Sequence, residues 1–193
     1  MRSLFLFLVL VLTAAACKKS RTEIPEPPLP AMQYTDLQDR VTGVGQPALL
    51  DLDGDGHRDL GFSTLLVGNA ESVKLQFYAT GSFTTHFPIN TDEESPNLPP
   101  GAPINPTAFP GYEWFNAPAI LLAQRVEPLN GAIYWEGPWK TAAHRFFPFA
   151  ILRDNKRYFG WIELSFDTTM QRTTLHRAAV SMEAEKGVKA GIK

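Results

Sequence analysis

Apolar and polar residues alternate clearly along two stretches of the chain. In 72–80, Val73, Leu75, Phe77 and Ala79 share one side and Gly81 follows, as in a half-buried strand. In 157–166, Tyr158, Gly160, Ile162, Leu164 and Phe166 fall on one face, and Phe159, Trp161, Glu163 and Ser165 on the other. The turn residues Arg153-Asp154-Asn155-Lys156 join that stretch to an apolar run over 144–152, which predicts a hairpin. A further turn at Asp167-Thr168-Thr169 leads to a strand-like stretch over 173–180. Short apolar runs at 48–50 and 60–67 also read as strands. The run 117–123 fits either a helical turn or a buried strand. The segment Pro88 to Pro110 carries seven prolines among Asn, Asp, Ser and Gly, and reads as a long loop. The pattern predicts a mostly antiparallel β domain with little helix.

The N-terminus follows a different pattern. Arg2 precedes an apolar run over 4–12 that is too short to span a bilayer, and small residues at 13–16 then lead to Cys17. This arrangement resembles a bacterial lipoprotein signal, in which the Cys becomes the lipidated first residue. Ala14 stands where such signals usually carry Leu. The resemblance implies a signal peptide over 1–16 and an acyl anchor on Cys17. Lys18 follows, where Asp would resemble an inner-membrane retention signal, so the resemblance implies the bacterial outer membrane. Plain secretion with Cys17 trimmed away is the alternative. Cys17 is the only cysteine of the chain, so no internal disulfide forms, and acylation gives a lone thiol of an exported protein a reason to exist. Pro25, Pro27, Pro28 and Pro30 lie among charged and polar residues, which predicts an extended tether. The organisation expected is a signal over 1–16, anchor and tether over 17–33, and one domain over 34–193.

Charge excludes little. The formal net charge is −2, and loss of Arg2 with the signal makes it −3. That is too near neutral to argue for nucleic acid or an acidic partner.

The candidate chemistry lies in one loop, Asp51-Leu52-Asp53-Gly54-Asp55-Gly56-His57-Arg58-Asp59. Oxygen donors at positions 1, 3, 5, 7 and 9 suit a hard cation such as Ca2+. Here they are Asp51, Asp53, Asp55, the His57 carbonyl and Asp59. Gly56 falls at position 6, where the chain must turn sharply. An EF-hand would need a bidentate Glu at position 12 and helices on both sides, but position 12 is Phe62 and the flanks read as strands. The loop resembles the calcium loops of FG-GAP and related repeats, in which Asp-x-Asp-x-Asp-Gly-x-x-Asp joins two strands. A single copy argues against a propeller. Without a cation the stretch reads as a solvated acidic turn.

A second resemblance covers most of the domain. Many small exported bacterial proteins of unknown function carry one such loop early, an aromatic-Gly-Trp-Ile-x-Leu strand late, then paired Ala and an Ala-Gly near the end. This chain has Phe159-Gly160-Trp161-Ile162-Glu163-Leu164, Ala178-Ala179 and Ala190-Gly191. The resemblance implies an antiparallel β-sandwich of jelly-roll type and no particular reaction.

Motifs for serine hydrolases, zinc proteases and nucleotide binding are missing. His57, His86, His144 and His176 are scattered, with no metal-ligand spacing. Glu113, Glu127, Glu136, Glu163 and Asp167 form no short paired motif of the kind glycoside hydrolysis uses. Trp114, Trp135 and Trp139 are candidates for stacking on a carbohydrate ligand, although buried packing is the commoner fate of Trp. Two readings follow: a non-catalytic lipoprotein with a structural calcium site and a ligand-binding role, or a jelly-roll carbohydrate-active enzyme or binding module.

Overall fold

The computed structural model describes residues 28–107 and 110–192. Thirteen strands and no helix are found among them. The first strands are β1 Met32–Gly43, β2 Ala48–Leu50, β3 Leu60–Gly68, β4 Ser72–Gly81, β5 Thr85–Ile89, β6 Pro103–Ile104 and β7 Glu113–Phe115. They are followed by β8 Ala119–Pro128, β9 Tyr134–Glu136, β10 Arg145–Arg153, β11 Lys156–Asp167, β12 Arg172–Ser181 and β13 Val188–Lys189.

One sheet has the order β1-β12-β11-β10-β5-β7, and a second has β2-β3-β4-β8-β9. All pairings are antiparallel. The sheets pack face to face as a β-sandwich around Phe62, Phe77 and Leu122 from one side and Phe147, Phe149, Ile162, Leu164 and Leu175 from the other. β1 begins at Met32, inside the stretch read as tether.

The hairpin predicted over 144–166 is β10–β11. Its turn uses Asp154 at φ 49° and Asn155 at φ 59°, the left-handed pair that matches the twist of a two-residue hairpin. The run 117–123 resolves as strand, most of it the start of β8. Leu75, Phe77 and Ala79 face the core as their alternation predicts. Val73 does not: it lies at the end of β4 and is 39% exposed.

β11 departs most from a one-sided strand. Phe159 and Trp161, on its second face, are fully buried too. The proline-rich segment returns over that face. Ile104 in β6, Val188 in β13 and Ala190 form an outer layer on Phe146, Ala150, Phe159, Trp161 and Ala179. A strand covered on both sides holds apolar residues on both.

Candidate metal centre

The acidic loop joins β2 to β3 at one end of the sandwich. Its closure is local. Asp51 Oδ1 accepts from the Gly54 N–H at 2.7 Å, and Asp51 Oδ2 from the Gly56 N–H at 2.9 Å. Asp53 Oδ1 accepts from the Asp55 N–H, and Asp55 Oδ1 from the His57 N–H. Gly54 and Gly56 have φ of 77° and 87°, where a Cβ would be strained. Carboxylates at alternate positions, with glycines between, therefore fold back on their own backbone.

The far end of the loop is tied to the rest of the fold. Asp59 is 3% exposed, and its Oδ2 accepts from the Leu52 N–H at 2.7 Å. Its carbonyl accepts from Ser82 N–H and Thr85 Oγ1–H, in the connection that carries the chain from one sheet to the other. Burial, together with the neighbouring charges of Asp53 and Asp55, pushes the Asp59 carboxyl up to about 6 against the opposing Leu52 and Asp53 backbone hydrogen bonds.

Asp51, Asp53 and Asp59 each offer one ligand oxygen, and these lie within 4.8 Å of one another, a grouping that could hold a metal ion. Asp55 stands outside this group, although it was expected to serve as a ligand beside the other three. It lines, with His57, Asp53, Asp59 and Arg153, an adjoining cavity of about 230 Å³. The exposed His57 donates its backbone N–H within the loop.

The Asp53 side chain is 1% exposed, and its Oδ2 has no hydrogen-bond donor. Arg153 Nε forms an ion pair with this oxygen at 3.5 Å without donating a hydrogen bond to it, and the Arg153 guanidinium stacks on the Tyr158 ring, 3.9 Å from its centroid. Arg153 closes β10 in the opposite sheet, so no local spacing pointed to it. A buried carboxylate oxygen without a donor is costly; the Arg153 ion pair offsets part of that cost, and a cation among the three Asp groups would offset more.

The tryptophans do not form one surface. Trp139 is fully buried, donates from Nε1 to the Ser95 carbonyl at 3.2 Å and packs edge-on against Phe147. Trp135 packs on Phe77 and Phe166 at the inter-sheet core. Trp114, in the edge strand β7, turns to the other face of the six-stranded sheet, packs on Phe159 and donates to the Asn105 carbonyl. Cys17 lies outside the described residues. Comparison with known protein families, curated proteins and solved structures finds no match for this chain.

Proposed function

We propose that the protein is a lipid-anchored bacterial envelope protein whose sandwich is braced by calcium held by Asp51, Asp53 and Asp59. The observation that carries this reading is the buried, donor-less Asp53 Oδ2 inside a group of carboxylates. The His57 carbonyl, Asp55 through water, and solvent complete the oxygen set. Calcium suits the site better than magnesium because it tolerates irregular oxygen coordination and gives up water readily. The loop itself performs no reaction. Its role is to lock the β2–β3 hairpin to the connection between the sheets and to the end of β10. The membrane contact is the lipid on Cys17.

The carbohydrate-active alternative needs aromatic rings along a shared groove. The separate placements of Trp114, Trp135 and Trp139 give it no support.

The test is a melting curve of the full chain in detergent, with calcium and then with chelator. Extracellular modules bind calcium at about 10⁻⁴–10⁻³ M. At millimolar calcium the stabilisation is then about 0.4–1.4 kcal/mol, a measurable rise in midpoint. Equal midpoints, with no heat of calcium binding by calorimetry, would return the loop to a solvated acidic turn.

A further inference from the structure

The chemistry-bearing residues left over by this reading collect at the far end of β11 from Arg153. Two breaks in strand register bring them together. In β12, Glu163 pairs with Arg177 and Leu164 with Leu175, so His176 is an extra, bulged residue. Leu175 and Ala178 both face the inter-sheet core, which simple alternation forbids, and His176 and Arg177 are thereby both turned to the outer face. In β1 the register breaks between Asp36 and Arg40, and Gln38 and Asp39 adopt φ of 55° and 51°. His144, just before β10, sits at φ 49°. Left-handed conformations at residues other than glycine are costly, and here three of them serve one cluster.

The hydrogen bonds run in one direction. Asp39 Oδ1 lies 2.5 Å from His176 Nδ1, and His176 Nε2 lies 2.9 Å from Ser165 Oγ. An ionised carboxylate only accepts, so Nδ1 of His176 carries a proton, and in the neutral ring Nε2 then offers its lone pair to the Ser165 hydroxyl. The His144 backbone N–H donates to Ser165 Oγ at 2.9 Å and holds the oxygen in place. The His144 ring stacks on His176 at 4.3 Å and is anchored by Glu163, which also binds Arg177. The flanking side chains face solvent, His144 at 67% and Asp39 at 77% exposed, while the His176 side chain between them is 16% exposed and Ser165 is half-buried.

We infer that Ser165, His176 and Asp39 form a nucleophile, base and positioning acid for acyl transfer from esters that can reach this open sheet face. The Ser165 oxygen bonds to the acyl carbon while its proton passes to His176 Nε2. Collapse of the tetrahedral intermediate breaks the bond to the leaving oxygen, which takes that proton. Water then repeats the sequence in reverse, releasing the carboxylic acid and restoring the serine. Asp39 touches no reacting atom; it fixes the tautomer and steadies the imidazolium. An open face offers fewer fixed oxyanion donors than a cleft, which slows both half-reactions; an activated ester still acylates the serine faster than the resulting ordinary ester hydrolyses, so the acylated serine accumulates.

The experiment uses the full chain in detergent, a fluorophosphonate probe and p-nitrophenyl acetate. The probe reports the same step: Ser165 Oγ bonds to phosphorus, the P–F bond breaks, fluoride leaves and His176 takes the proton. The expected result is a single adduct mapped to Ser165, with a burst of nitrophenol from the ester. Ser165→Ala should abolish both. Asp39→Asn, at an exposed position, should keep the circular dichroism spectrum and slow labelling about a hundredfold, the scale of general-base assistance. Ser165→Cys should react with iodoacetamide at a lower pH than an ordinary thiol, because His176 draws off its proton, with Asp39, His144, Glu163 and Arg177 as the surrounding charges. Failure of the wild-type protein to label, or labelling that Asp39→Asn leaves unchanged, would overturn the assignment. Neither result bears on the calcium loop at the other end of β11.

Discussion

Single carboxylates in this molecule answer to different surroundings. The Asp53 side chain is buried within the candidate cation group, whereas the exposed Asp55 lies outside it and accepts from the His57 N–H in the turn. Asp53→Asn should therefore remove the calcium-dependent rise in melting temperature, while Asp55→Asn should keep most of it. Calorimetric titration of both variants checks this, and equal losses would mean that Asp55 is an equal ligand. Glu163 shows the opposite balance to Asp59. Burial pushes its carboxyl up, but the hydrogen bonds and charges of Arg177 and His144 outweigh burial and hold it below the usual 4.5. A depressed folded-state value means stability that is present above 4.5 and lost as pH falls through the folded-state value. Glu163→Gln should accordingly melt earlier than the wild type near neutral pH, with the gap closing in acid. A gap that persists unchanged at low pH would show that packing, not charge, is what the substitution disturbs.

At the scale of elements, β11 is the strand on which the others depend. Its partners β10 and β12 hold it on both edges, and core lies on both faces. Gly160 shows how tight this is. A Cβ there would lie 2.5 Å from the Ala179 carbonyl oxygen and 2.6 Å from Phe149 Cζ. Neither the paired backbone nor the buried ring can give way freely. Gly160→Ala should destabilise the protein by about 1–3 kcal/mol or more, as overpacking does. Gly68→Ala, at the end of β3 with nothing within 4 Å of its Cβ, should be neutral or stabilise by up to about 1 kcal/mol. Urea denaturation of the pair measures both. A near-zero cost at Gly160 would mean that the β12 backbone and the Phe149 ring yield more easily than their packing indicates.

For the whole molecule, the arrangement we propose is a compact sandwich on a lipid anchor, with a calcium brace at one end and the Ser165 cluster at the other. A single acyl chain gives only reversible membrane binding, whereas two or more hold a protein stably. Cys17→Ser should therefore shift the protein from the membrane to the soluble fraction on cell fractionation, with its circular dichroism unchanged. Unaltered membrane association of the variant would remove the lipid anchor from this account.

Local physics was legible in the amino-acid order. Alternation over 72–80 and 157–166 announced strands because side chains of an extended chain point to opposite sides, and the Asp and Gly spacing of 51–59 encodes a loop whose hydrogen bonds close within a few residues. Strand order is a different kind of information. Whether Trp161 meets solvent or an outer layer depends on where the proline-rich segment returns, and Asp39 meets His176 across 137 residues only because β1 pairs with β12. The bulge that turns His176 outward, and the placement of Arg153 beside Asp53, arise from register between strands. Register is set by the packing of whole faces, so no spacing along the chain could display it.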